Sequence, residues 1–101
     1  MFKLCFYVPE ASLEAVKAAV FGAGAGRMGN YDQCCWQVLG QGQFRPLTGA
    51  NPAIGEQGQL ESLPEWKVET VVVDEQVDQV IAALKAAHPY EEVAYDLWRL
   101  V

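Results

Sequence analysis

The first third of the chain shows two different spacings of apolar residues. Between residues 2 and 8 apolar and less apolar side chains alternate, a period of two that predicts a β-strand. From Leu13 to Ala23 apolar residues recur at intervals of three and four, which predicts a helix with one apolar face. Glycines at 22, 24 and 26 should end that helix, because glycine tolerates the left-handed conformation found after helix ends.

The remaining two thirds of the chain predict a strand, a long polar loop, and then a strand, a helix and a final strand. Residues 33–39 predict a second strand, and residues 40–64, rich in Gly, Pro, Gln and Asn, predict a long loop with a short strand near 59–62. A third strand is expected over 66–73, followed by a helix with Asp74 as its N-cap. Pro89 forbids its continuation, and residues 94–101 predict a final strand.

This order predicts one α+β domain over residues 1–101, of the ferredoxin-like split βαβ type, with an antiparallel sheet and both helices on one face. We expect the other sheet face to be apolar and to drive formation of a homo-oligomer. The residues expected on that face are Cys5, Tyr7, Cys35, Leu39 and, from the last strand, either Tyr95 with Leu97 or Trp98 with Leu100.

Charge and composition limit the classes of partner that the chain could bind and indicate its compartment. Seven basic residues against thirteen acidic ones give a net charge of −6, without the basic stripe that a nucleic acid or an anionic membrane surface requires. We find no membrane-spanning run and no signal-peptide pattern at the N-terminus. Three cysteines do not suggest a disulfide framework, so we expect a cytoplasmic protein.

Two arginines in glycine-rich segments are candidates for binding an anion. Residues 24–29 spell G-x-G-x-x-G, but a helix precedes them, whereas the dinucleotide fingerprint requires a preceding strand. What remains is an anion-binding nest of backbone amides at Gly24 and Gly26 beside Arg27, or simply a helix stop. Arg45 suits a carboxylate or phosphate equally, unless each arginine pairs with a local acid such as Asp32 or Glu56.

The run His88-Pro89-Tyr90-Glu91-Glu92 is the other candidate site. An imidazole and two carboxylates could hold a divalent metal or act as general acid and base. The alternative is structural, since a histidine at a helix C-terminus interacts favourably with the helix dipole. Cys34 and Cys35 should face opposite sides of a strand, and neither has a basic neighbour that would activate a thiol.

Three ordered motifs resemble the PII/CutA-like middle domain of bacterial proteins of the Nif-three family. They are Gly24-Ala25-Gly26-Arg27-Met28-Gly29-Asn30-Tyr31, then Gly40-Gln41-Gly42-Gln43-Phe44-Arg45-Pro46 with Gly49 and the later Pro52-Ala53-Ile54-Gly55, and then His88-Pro89-Tyr90-Glu91-Glu92-Val93-Ala94-Tyr95-Asp96. The likeness runs from about residue 7 to residue 97. One departure is Val93, where the family usually has proline, and it should loosen the approach to the last strand slightly.

The resemblance implies a ferredoxin-like fold and a stand-alone copy of that domain. The dinuclear metal site of the family lies in two flanking halves outside the matched region, so a hydrolase activity does not transfer to this chain. The related CutA and PII groups are trimers, one linked to divalent-metal tolerance and the other to nucleotide and 2-oxoglutarate sensing, which favours a trimer by analogy. Asn30, Tyr31 and Tyr90, which lie in the same motifs, complete the set of candidate ligand-binding residues.

Three functions follow from these observations. The leading hypothesis is a non-catalytic regulatory or sensory module of the Nif-three/PII/CutA-like type that binds a small anion, a metal or a partner protein. The second is a divalent-metal-binding or tolerance protein of CutA type, with His88, Glu91 and Glu92 as ligands. The third is an accessory oligomerisation protein that acts through the apolar sheet face.

Overall fold

A computed structural model describes all residues from 1 to 101. Its main elements are β1 Phe2–Pro9, α1 Leu13–Gly22, β2 Cys35–Phe44, β3 Glu61–Val72, α2 Val77–Ala87 and β4 Tyr95–Arg99. A single 3-10 turn leads into each helix, at Glu10–Ser12 and at Asp74–Gln76. The predicted order of two β-α-β units is therefore confirmed. Neither helix has the length and apolar character that crossing a membrane would require.

The four strands form one antiparallel sheet in the order β2-β3-β1-β4. One face of the sheet packs against both helices, and the core lies between them with about equal contributions from the sheet and the helices. The buried apolar side chains are Leu4, Phe6 and Val8 from β1, Val68 and Val72 from β3, Leu13, Val16 and Val20 from α1, Val80 and Leu84 from α2, and Ala25. The α+β ferredoxin-like fold predicted from the sequence is confirmed.

The central loop is shorter than predicted. Strand β2 continues to Phe44 and β3 begins at Glu61, so the loop covers residues 45–60 instead of 40–64. The extension of β2 could not be predicted from the alternation of apolar side chains, because Gly40 and Gly42 interrupt it. The pairing with β3 continues nevertheless, since it uses backbone groups. The extended β2–β3 hairpin gives the molecule a long axis of 47 Å against 25 and 24 Å.

Asp74 does not cap α2 as predicted, since Val73 precedes the 3-10 turn and no side chain caps that turn. The Asp74 carboxylate instead pairs with the N-terminal ammonium of Met1 and with Arg99, whose Nη1 lies 3.0 Å from Oδ2. These two charges lower the pKa of Asp74 through hydrogen bonds to its carboxylate. The residue therefore ties the start of α2 to the ends of β1 and β4.

Two residues expected on the outer sheet face lie on the helix side. Residues directly opposite each other on paired strands share a face, and Cys35 opposes Thr70 while Leu39 opposes Trp66. Thr70 is opposite the core residue Leu4, which fixes the side. The face prediction for Cys35 and Leu39 was wrong because the spacing along one strand does not say which of its two faces meets the helices.

The outer face is mixed in polarity instead of uniformly apolar. Cys5 and Tyr7 lie on it as predicted, and the last strand contributes Trp98 while Tyr95 and Leu97 pack against the core. Charged side chains alternate with these apolar ones because the pairing brings both kinds to the same surface. The outer face, as the term is used below, consists of Lys3, Cys5, Tyr7, Trp36, Val38, Lys67, Glu69, Val71, Asp96 and Trp98.

Candidate functional site

A concave cavity of about 440 Å³ lies between the loop 45–60 and the segment that leads from α2 to β4. Its walls are mostly apolar, with several charged and hydroxyl groups among them. We call this cavity the loop hollow. The residues that line it are Tyr7, Gln43, Phe44, Arg45, Pro46, Leu47, Ala50, Pro52, Ala53, Ile54, Glu65, Tyr90, Glu91, Glu92 and Ala94.

Two hydrogen bonds fix the loop 45–60, which forms one wall of the loop hollow. The backbone N–H of Gly58 donates to the carbonyl oxygen of the buried Pro46 at 2.8 Å, which closes the base of the loop. The backbone N–H of Asn51 donates to Oε1 of Glu91 at 3.1 Å. This second bond joins the loop to the segment after α2, and the loop hollow lies between the two.

Tyr90 forms the aromatic part of the opposite wall. Its hydroxyl donates a hydrogen bond of 2.8 Å to Oε2 of Glu65, and its ring centroid lies 5.9 Å from that of Phe44 in a tilted arrangement. Burial and the adjacent Glu65 carboxylate raise the pKa of Tyr90 far above its ordinary value. The Glu65 side chain lies across the position that a Cβ at Gly42 would occupy, so a glycine at 42 leaves room for this pair.

His88 supports Tyr90 from behind, and only 6% of its surface is exposed. Its Nδ1 accepts the backbone N–H of Tyr90 at 3.1 Å, so Nε2 carries the proton and donates to the carbonyl oxygen of Tyr7 at 2.7 Å. Burial lowers the pKa of His88, while the bond to the Tyr7 carbonyl and the nearby Glu65 carboxylate act in the opposite direction. The geometry is that of a neutral imidazole that joins β1 to the wall of the hollow.

The candidate metal ligands do not converge. Both ring nitrogens of His88 are engaged with backbone groups, and one oxygen of Glu91 accepts from Asn51. No group of three or more His, Cys, Asp or Glu side chains is placed to hold a metal ion. A divalent ion at His88 would have to displace one of its two hydrogen bonds. The arrangement therefore gives the metal prediction no support, whereas it brings Glu91 and Glu92 into the loop hollow with Arg45 and Tyr90.

The glycine-rich turn after α1 lies in a separate hollow, lined among others by Gly24 and Arg27. The amide of Gly24 donates to the carbonyl of Phe21 at 3.1 Å, and that of Gly26 donates to Val71 at 2.7 Å. These two amides are thus not free to bind an anion, and the turn acts as the alternative predicted, a helix stop. The two arginines, at 27 and 45, lie in different hollows of one chain.

The other candidates near this turn are exposed. Met28 and Tyr31 exchange backbone hydrogen bonds that close a tight turn around Asn30. The side chain of Tyr31 is left 75% exposed. Neither Arg27 nor Arg45 forms an ion pair, so the predicted alternative of pairing with Asp32 or Glu56 is not seen either.

Most residues that line the loop hollow were not predicted from the sequence, and three of these carry aromatic or charged side chains: Tyr7, Phe44 and Glu65. Tyr7 and Glu65 lie within strands and Phe44 ends one, where an aromatic or charged side chain is expected for structural reasons alone. The only signal at Phe44 was its place beside Arg45 in a motif of the resemblance. Glu65 carried none, because its contact with Tyr90 joins residues that are 25 positions apart.

The architecture places the chain among ferredoxin-like proteins of the PII/CutA type. The periplasmic divalent cation tolerance protein CutA from Archaeoglobus fulgidus has the same fold, with a TM-score of 0.69 and 14% identity, over 99% of this chain and 84% of that one. CutA from Xylella fastidiosa matches at 0.69 and 19% identity, over 98% and 82% of the two chains. At these identities the likeness concerns the fold alone.

The sequence is closer to proteins of the Nif-three family. A Bacillus cereus protein related to NIF3 superposes with a TM-score of 0.83 at 40% identity, over 98% of this chain and 25% of that chain. The GTP cyclohydrolase 1 type 2 homolog of Mycobacterium tuberculosis is 50% identical over 98% of this chain and 26% of its own length. That of Halalkalibacterium halodurans is 46% identical over 99% of this chain and 27% of its own length.

The chain therefore spans about a quarter of the length of the relatives it matches. No family model matches it. The resemblance to the Nif-three family is confirmed, and it holds for the one segment of those proteins that this chain covers.

Proposed function

We propose that the chain is a non-catalytic module of the Nif-three/CutA-like type that binds a small molecule in the loop hollow. The observation that carries this proposal is the hollow itself. Its volume, about 440 Å³, falls in the range typical of small-molecule sites. Apolar walls with a few polar groups are likewise typical of such sites, since burial supplies affinity and the polar groups supply orientation.

The titratable groups of the hollow suit recognition better than proton transfer. The raised pKa of Tyr90 moves its phenol further from any proton transfer at neutral pH, and the hydroxyl serves as a hydrogen-bond donor to Glu65. His88 uses both nitrogens on backbone groups and would lose part of the wall if it exchanged a proton. This favours a regulatory or sensory role over a catalytic one.

Backbone amide chemical shifts in a ¹⁵N-labelled sample would test the proposal. Nucleotides, phosphate, dicarboxylates, divalent metals and free amino acids would be titrated separately. We expect at least one class to perturb the amides of residues 43–54 and 90–94. The variant Ala53→Trp, which places a large side chain in the hollow, should abolish that response. If no compound perturbs these residues, or if the variant responds like the parent, the proposal fails.

The cellular setting is part of the same proposal. The matched relatives carry this segment within a protein about four times as long, so a ligand bound here would act on a protein of Nif-three type, whether covalently continuous or separate. The three cysteines are free, as is usual in a reducing compartment, and this supports a cytoplasmic location.

A second role, self-association, is favoured by the aromatic residues of the outer face. Trp36 is 61% exposed, Trp98 49% and Val38 42%, and exposed apolar groups on one face commonly mark an interface. A homo-oligomer is therefore proposed, with a trimer preferred by analogy with the CutA and PII groups. Light scattering should give a mass above that of the monomer, and Trp98→Glu should lower it. Leu39→Glu, at 49% exposure on the opposite face, is the matched control.

A further inference from the structure

Two charged groups of the loop hollow have no partner. Glu65 accepts the hydroxyl of Tyr90, and Glu91 accepts the amide of Asn51. Arg45 and Glu92 form no ion pair or side-chain hydrogen bond with any group of the chain, and none with each other. A guanidinium and a carboxylate thus line one cavity, both available to a ligand.

From this arrangement we infer that the hollow binds a zwitterionic small molecule with an apolar body, the chemistry of a free α-amino acid with an aromatic or aliphatic side chain. The inference rests on the proposed function of the hollow as a binding site. The ligand carboxylate would pair with Arg45, whose planar guanidinium suits bidentate contacts, and the ligand ammonium would pair with Glu92.

The apolar part of the cavity supplies the place for the side chain of the ligand. Leu47 is 64% exposed although it lines the hollow, and Ile54 and Phe44, which also line it, are partly buried. Covering such surfaces removes apolar area from water and stabilises the complex. The ring of Tyr90, already tilted against Phe44 at 5.9 Å, offers an edge or a face to an aromatic ligand.

Charge balance argues against a ligand that is only anionic. Three carboxylates, those of Glu65, Glu91 and Glu92, line the hollow with one guanidinium. A nucleotide or free phosphate would meet repulsion from the acids while gaining a single cationic partner. A purely cationic ligand would leave Arg45 without a partner. A zwitterion satisfies both unpaired groups and adds no net charge.

Isothermal titration calorimetry with L-phenylalanine and two truncated analogues tests the inference. The analogue 3-phenylpropionate lacks the ammonium, and 2-phenylethylamine lacks the carboxylate. Each should bind about tenfold more weakly or worse, because each forgoes one charge-assisted contact. L-leucine tests whether an aliphatic body is accepted as well.

Variants assign each charge to its partner. Arg45→Gln should weaken L-phenylalanine about tenfold and leave 2-phenylethylamine unchanged, while Glu92→Gln should weaken L-phenylalanine and leave 3-phenylpropionate unchanged. Arg27→Gln, an exposed arginine in the other hollow, is the matched control and should change none of the affinities.

The outcomes separate this inference from the proposed function. If either analogue binds as tightly as L-phenylalanine, or if the Arg45 and Glu92 variants bind it like the parent, the zwitterion inference is overturned while a binding site remains. Binding of L-phenylalanine that survives Ala53→Trp would also overturn it. If no compound of the wider panel perturbs the hollow, both the inference and the proposed function fall.

Discussion

Replacing His88 tests how the wall of the loop hollow is held. The imidazole is almost fully buried and joins the carbonyl of Tyr7 to the amide of Tyr90 through bonds of 2.7 and 3.1 Å. His88→Phe keeps the ring but removes both bonds. Each of the two backbone groups left without a partner costs roughly 1–3 kcal/mol, so we expect a loss of about 2–6 kcal/mol in the free energy of unfolding.

The same residue makes stability depend on pH in a defined direction. Burial lowers the pKa of His88 in the folded state below its ordinary value of 6.5. The unfolded chain therefore binds a proton at this imidazole more readily than the folded chain does. The contribution of neutral His88 to folding stability should be complete above pH 6.5 and should decline as pH falls toward the folded-state pKa. One such group accounts for at most about 1.4 kcal/mol per pH unit within that window.

Urea denaturation followed by tryptophan fluorescence at pH 7.5, 6.5 and 5.5 would measure the effect, at fixed protein concentration because the chain is expected to associate. His88→Gln is the matched control, since its amide can donate to Tyr7 but does not titrate. We expect the parent to lose more stability than this variant between pH 7.5 and 5.5. Equal losses would show that the neutral imidazole is not what holds the wall. The ion pairs of Asp74 do not contribute to the change in stability between pH 7.5 and 5.5, because they weaken only as pH falls below about 3.8.

Three further predictions concern the loops and the aromatic wall. Gly26→Ala should cost roughly 1–3 kcal/mol in urea denaturation, because φ is +82° and a Cβ there would lie 2.9 Å from the backbone nitrogen of Cys34. Gly29→Ala, with nothing within 4 Å, should cost less, and equal losses would contradict the packing argument. Hydrogen exchange should be faster in the loop 45–60 than in β1, and rates as slow as those of the strand would refute this. Tyr90→Phe should lower stability by about 1 kcal/mol in the same assay, and an unchanged midpoint would mean that the bond to Glu65 contributes nothing.

The helices and strands, and their order along the chain, were predictable because each is signalled by the periodicity of apolar residues within a short segment. The length of β2 was not, since Gly40 and Gly42 carry no apolar signal and the pairing of that strand with β3 uses backbone groups. The face on which Cys35 lies was not predictable either. It is fixed by pairing across the sheet to Thr70 and on to Leu4, which no pattern within β2 reveals.

The candidate site was predictable where a residue type is unusual in its own segment. Arg45, Tyr90, Glu91 and Glu92 stood out in loops, and the structure brings all four to one hollow. Glu65 did not stand out, because its role depends on a partner far away in the sequence. His88 stood out for its chemistry, yet its nitrogens are engaged with the backbone, a fact that only the three-dimensional arrangement discloses.

The three motifs of the family resemblance divide into two physical roles. The first, residues 24–31, ends α1 with amides that bond to carbonyls of α1 and β3, so it belongs to the framework. The second and third, residues 40–55 and 88–96, face each other across the loop hollow and are tied together by the bond from Asn51 to Glu91. Substitutions in the first motif should therefore act mainly on stability, whereas exposed positions of the other two should act on binding with little effect on folding. Gly26→Ala, from the first motif, should lower stability, and Arg45→Gln, from the second, should weaken binding, so this pair of variants makes the division measurable.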